Sequence, residues 1–285
     1  MAGPSANPVD CVHSGGAPSE LTLLPRMPLG HKSNAPSGEL RMARNGGQIR
    51  RDVREHDRDM MNALEVLTKD CTALTDAELA EMADLSAGSL APWEAGFLSK
   101  QREEWVLVTH AREEDKLRGY AFATLERIGG TPSLLVGLAA FTRTRMATPA
   151  LEAVMRDLYR RSVLAFPDED VLVGTRFARP SGYAAFAGLE DIVPRPEHKA
   201  TGEERAWGRR LAKRFGAESQ LEDRIAIIKG DGDLCGLFDF DPTKTPKVAA
   251  TYEACFELLD GERRDTVVAF GWAMAEALAA GSLPA

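Results

Sequence analysis

Arg143 and Arg145 stand in a short polar stretch, Arg143-Thr144-Arg145-Met146-Ala147-Thr148, between an apolar run over 133–141 and a helical pattern opening at Thr148-Pro149. Two guanidinium groups beside a helix start suit an anion, because the first amides of a helix have no partner inside it and its dipole is positive there. Thr148 reads as the cap, and Pro149 at the first helical position leaves the following N–H groups pointing outward. The chemistry that fits is phosphate binding. The same residues also read as solvated loop charges beside an ordinary helix start.

Proton transfer needs a second group. Tyr183, in the Pro180-led stretch after the Val171 to Phe177 run, carries a phenol that can donate a proton. Its other reading is a core or rim tyrosine using its hydroxyl as a polar handle. His110, Glu103, Glu104, Glu126 and Asp170 lie at or beside strand ends, and none is singled out as a general base. Tyr120 and Glu126 fall on one face of a regular strand. Asp231, Asp233, Asp239 and Asp241 invite a calcium reading, but the stretch lacks the glycine and final glutamate of an EF-hand loop, and Leu237 to Phe240 alternates like a strand. No metal is expected.

The order of strand, polar loop, helix, strand and Pro-led helix over about 105–194 resembles the acyl-CoA-binding core of the GNAT superfamily of N-acetyltransferases. In that pattern the loop Arg/Gln-x-x-Gly-x-Gly/Ala grips the pyrophosphate. Arg143 matches its basic position, whereas Met146 and Thr148 stand where the glycines would be. Phe177-Ala-Arg179-Pro180 through Phe186 to Leu189 resembles the Asn-Pro-led segment closing many such domains, with Arg179 for Asn and Phe186 for the tyrosine that protonates the leaving thiolate. The resemblance implies an acyltransferase moving an acyl group from acetyl-CoA or another acyl-CoA to a small-molecule or protein acceptor, an amine or hydroxyl. It implies a cosubstrate site at Phe141, Arg143, Thr144, Arg145, Thr148 and Ala150, and Tyr183 as substitute acid. The lost glycines and tyrosine equally imply a catalytically inactive GNAT-like binding or assembly module.

These residues need a scaffold. Strands over Trp105–His110, Leu117–Thr124 and Ser133–Phe141 read as a meander, a helix over Pro149–Leu164 carries a stripe of Leu151, Val154, Met155 and Leu158, and a strand follows at Val171. The fold class is therefore α/β (α+β), a GNAT-like, mixed, mostly antiparallel twisted sheet flanked by helices, with a carboxy-terminal extension. Thr75 and Glu78 announce a capping box, and 48–67 reads as a helix with Met60, Met61, Leu64 and Leu67 at helical spacing. Residues 1–46, rich in Gly, Pro, Ser and Asn, read as a disordered tail, 47–200 as the core, and 201–285 as a segment packing on or completing it. That last segment could supply a homodimer interface. Within it, 203–215 reads as a helix, 224–229 as a strand, 237–240 as a returning strand, and 265–280 as a strand followed by a helix.

A net charge of −8 argues against a general nucleic-acid binder, and the apolar runs are too short to cross a bilayer. Four widely spaced cysteines give neither a zinc knuckle nor a disulfide framework, so a reducing cytoplasm is the expected compartment.

Overall fold

The computed structural model describes residues 64–283. The expected tail, and residues 48–63 of the expected first helix, lie outside that range. Leu64 and Leu67 are not helical: Leu64–Asp70 is strand β1, antiparallel to β2 (Leu107–Glu113). Leu64 and Val66 turn inward while Leu67 is 55% exposed, so the period is two and Leu67 was a misleading match to a helical one.

β2, β3 (Lys116–Ile128) and β4 (Thr131–Phe141) form the expected antiparallel meander. Gly129 and Gly130 make the two-residue turn from β3 to β4, both at positive φ (60° and 92°), which glycine adopts without a Cβ clash. Helix α1 (Asp76–Ser86) starts at the Thr75–Glu78 capping box, and α2 (Ala95–Glu104) follows it. Helix α3 (Ala147–Ala165) leads from β4 back to β5 (Val171–Phe177), which runs parallel to β4. A 3₁₀ segment (Pro180–Phe186) and β6 (Glu190–Val193) come next.

Residues beyond 200 are woven into the same sheet. Helix α4 (Gly202–Arg214) precedes the two-residue strands β7 (Leu221–Glu222), β8 (Ile227–Ile228) and β9 (Phe238–Asp239). Of the strand expected over 224–229, only Ile227 and Ile228 pair. Helix α5 (Lys247–Tyr252), strand β10 (Thr266–Ala273) and helix α6 (Ala275–Ala279) complete the chain, the last two as the strand-then-helix expected there. The sheet order is β1-β2-β3-β4-β9-β5-β10-β8-β7, with β6 also on β10. β10 pairs antiparallel with β5 from Val267↔Phe177 to Ala273↔Val171, which makes β5 an interior strand.

Alternation along β5 sends Val171, Val173 and Phe177 into one core and Leu172 into the other. Leu151, Val154, Met155 and Leu158 of α3 fill the first core with Tyr183 and Phe186. Leu79 and Met82 of α1, Leu98 of α2 and Leu211 of α4 fill the second. The result is a twisted, mostly antiparallel open sheet covered by helices on both faces.

Candidate functional site

β4 and β5 pair only from Ser133↔Leu172 to Leu135↔Gly174, after which they separate. The cause lies in β4. Between the pairs Leu138↔Phe122 and Val136↔Ala123 the register shifts, leaving Gly137 as an extra residue, and a bulge of this kind bends its strand. Only glycine fits there, because a Cβ at Gly137 would sit 1.7 Å from the Trp105 ring. Thr175 Oγ1 donates to the Val136 carbonyl at 2.7 Å and pins the fork of the split.

The gap holds β9. Phe238 pairs with Ala139 on one side and Phe177 on the other, Asp239 pairs with Ala140, and the Ala139 amide donates to the Leu237 carbonyl at 3.0 Å. Phe238 is 2% and Phe240 1% exposed, and their rings meet Phe141 at 5.5 and 5.7 Å between centroids. Burial of each is worth about 2 kcal/mol. Both ends are latched: Trp93 Nε1 donates to the Cys235 carbonyl at 3.0 Å, and Ser181 Oγ donates to the Phe240 carbonyl. The sequence reading of 237–240 as a strand agrees with this; its expected return within the carboxy-terminal segment does not, since it runs parallel between β4 and β5.

The charged mouth of the gap is also occupied. Arg143 Nε lies 3.1 Å from Asp241 Oδ2, and Arg179 Nη1 lies 3.3 Å from the same oxygen. Asp239 stands 3.9 Å from each guanidinium, its carboxylate almost fully buried. Burial raises its pKa, against the attraction of Arg179 and Arg143. Two carboxylates thus face the guanidinium groups of Arg143, one of the two arginines the sequence offers for an anion, and of Arg179.

The helix start differs from the expected one as well. α3 begins at Ala147 with Met146 as its cap residue, so Thr148 is already inside the first turn and does not cap. Thr144 serves instead: its Oγ1 accepts from the Met146 amide at 3.2 Å and its carbonyl from Ala147 at 3.0 Å. Pro149 has no N–H, so little of the amide socket remains open. Thr144, Arg145 and Thr148 are exposed, while Phe141 and Ala150 are buried.

Tyr183, within the 3₁₀ segment, turns into the core, 1% exposed, and its hydroxyl donates to the Pro194 carbonyl at 3.2 Å. Its ring stacks on Tyr252 of α5 at 3.8 Å, and burial holds its pKa well above the usual phenol value. His110 is buried beside Tyr120, its pKa lowered to about 4 by burial, and its Nε2 has no partner. Glu126 pairs with Arg214 of α4 at 2.7 Å, and Asp170 accepts from the Ala275 amide at 2.8 Å. Glu103 and Glu104 are exposed. Asp239 and Asp241 are the residues that sequence reasoning left unused at this site; their alternation with Phe238 and Phe240 was the available signal.

The meander, the bulge that splays β4 from β5, the crossover helix, and β10 packed antiparallel on β5 complete the arrangement. The fold is GNAT-like. No protein-family model and no curated protein matches the sequence. Solved structures similar to it include a protein assigned to the GNAT family from Desulfovibrio desulfuricans, at 18% identity over 39% of this chain and 74% of that one, TM-score 0.30. The ribosomal-protein-S18-alanine N-acetyltransferase of Escherichia coli gives 14% over 49% and 86%, TM-score 0.32. Escherichia coli ElaA gives 16% over 49% and 94%, TM-score 0.31. Superpositions this loose add nothing to the topology, on which the GNAT-like description rests.

Among the described residues no helix is long and apolar enough to cross a membrane. Nor do three or more His, Cys, Asp or Glu side chains among them converge as a metal site.

Proposed function

We propose that this chain is a GNAT-like binding or assembly module and not an acyltransferase. The observation that supports this reading is the occupant of the β4–β5 gap. The resemblance would seat acyl-CoA along Phe141 to Thr148, and there Phe238 and Phe240 fill the apolar space while Asp239 and Asp241 take the charge of Arg143 and Arg179. A cosubstrate would have to displace a strand and compete with two carboxylates for its phosphate ligands. Tyr183, donating to Pro194 inside the core, is equally removed from any departing thiolate.

A second reading has one observation in its favour. β9 is only two residues long and carries a buried carboxylate whose charge is disfavoured, so the strand is a candidate for displacement. In that reading Arg143, Thr144, Arg145 and Thr148 would hold the phosphates of an acyl-CoA beside Phe141 and Ala150, and Tyr183 would supply the proton to the leaving thiolate.

Calorimetric titration with acetyl-CoA and with longer acyl-CoAs separates the two. The module reading expects no saturable heat at millimolar ligand. Saturation in the micromolar range would overturn it.

A further inference from the structure

A cavity of about 270 Å³ lies on the face of the sheet covered by α2 and α4. Arg176 of β5 reaches into it. Arg176 is 7% exposed, its Nε has no hydrogen-bond acceptor, and among the described residues no carboxylate pairs with it. Its guanidinium lies over the Phe215 ring, 5.1 Å from the centroid, and burial disfavours its charge. An arginine keeps its proton at any ordinary pH, so an unpaired one in the interior is a standing cost that a bound anion would remove.

A second orphan adjoins it. Thr266 of β10 lies two residues before Val268, the cross-strand partner of Arg176, and so shares its face of the sheet. Thr266 lines the cavity, is 1% exposed, and its hydroxyl has no partner. Gly236, which also lines the cavity, is held to glycine by the backbone: a Cβ there would sit 2.9 Å from the Gly137 carbonyl oxygen. Two buried polar groups without partners facing one cavity are what an absent ligand leaves behind.

We propose that this cavity binds a small organic carboxylate, received by the guanidinium fork of Arg176 and the hydroxyl of Thr266. The charge favours a monoanion. The other cations lining the cavity are engaged, Lys229 with Asp265 at 3.3 Å and Arg264 with the Gly232 and Leu90 carbonyls at 3.0 and 2.9 Å. Glu104, Asp231 and Asp233 also line it and penalise a dianion such as phosphate. A planar guanidinium matches a carboxylate with two parallel hydrogen bonds. Phe97, Phe215 and Leu234 offer apolar wall to the rest of the ligand, and the volume lies at the small end of ligand pockets. This site goes beyond the reading of the β4–β5 gap and does not depend on it.

The test uses the whole chain with sodium benzoate, sodium acetate and inorganic phosphate as probes at constant ionic strength, read by calorimetry and by melting temperature. Benzoate is expected to bind and raise the melting temperature, acetate to bind more weakly, and phosphate to do neither. Arg176→Met is expected to lose at least tenfold in benzoate affinity and to melt higher than wild type in buffer without added carboxylate, because it removes a buried charge that no ion pair offsets. Thr266→Val, which keeps the shape of the side chain, should weaken benzoate several-fold and gives a readout if Arg176→Met does not fold. Absence of carboxylate binding, benzoate affinity unchanged in either variant, or phosphate binding more tightly than benzoate would overturn the proposal.

Discussion

At the scale of single residues, Asp239 sets the balance at the mouth of the β4–β5 gap. Its two arginines are each about a third exposed and lie closer to Asp241 than to Asp239, so their attraction is diluted by water while the carboxylate itself is buried. Burial wins and the pKa is raised. A raised acid pKa means that the folded chain holds the proton more firmly than the unfolded one, so this residue's contribution to stability falls as pH rises from the unfolded value of 3.8 through the folded one. Asp239→Asn should therefore be at least as stable as wild type at pH 7, with the difference narrowing as pH drops toward 4, in chemical denaturation at a series of pH values. A variant more than about 1 kcal/mol less stable at pH 7 would mean that the arginines outweigh the burial, since breaking a favourable buried pair costs at least that much. The sequence displayed all four charges but not their pairing, because Arg143 and Asp241 lie almost a hundred positions apart and nothing local joins them.

At the scale of elements, what was legible from sequence was whatever local pattern determines. The Thr75–Glu78 box and the apolar stripe of α3 each carry their own signal, and both helices form on it. The start of α3 was misplaced by two residues because Thr148-Pro149 and Thr144 are both plausible cap chemistry, and the choice is made by the loop's path from β4. β9 was legible as a strand and illegible in position: an alternating Phe-Asp-Phe stretch states its period and not its neighbours. Gly137 decides those neighbours by bulging β4 away from β5. Phe238→Ala should cost about 3–5 kcal/mol, the usual range for emptying a buried phenylalanine site. It should confer no affinity for acetyl-CoA, since Asp239 and Asp241 still hold Arg143 and Arg179. Saturable acetyl-CoA binding in that variant alone would identify β9 as a displaceable plug and favour the acyltransferase reading.

At the scale of the molecule, the question is whether residues up to 200 stand alone. Without 201–285, β5 would lose β10 along seven paired positions and become an edge strand, and the β4–β5 gap would lose β9. Leu211 of α4, whose methyl carbons pack over Gly174, would be gone from the second core. Phe238, Phe240, Val267, Val268, Phe270, Leu211 and Ile227 are all buried, each worth about 1.5–3 kcal/mol. Together they match or exceed the whole net stability of a domain, about 5–15 kcal/mol. A chain ending at residue 200 should therefore show no cooperative thermal transition, with exposed apolar surface reported by dye binding. Co-expression with a separate 201–285 fragment should restore a single transition, because the missing strands pair through backbone hydrogen bonds that need no covalent link to the rest. A cooperative melt of the shorter chain on its own, at a temperature near that of the full protein, would mean that the sheet closes without β9 and β10 and that the later residues are an addition to an independent fold.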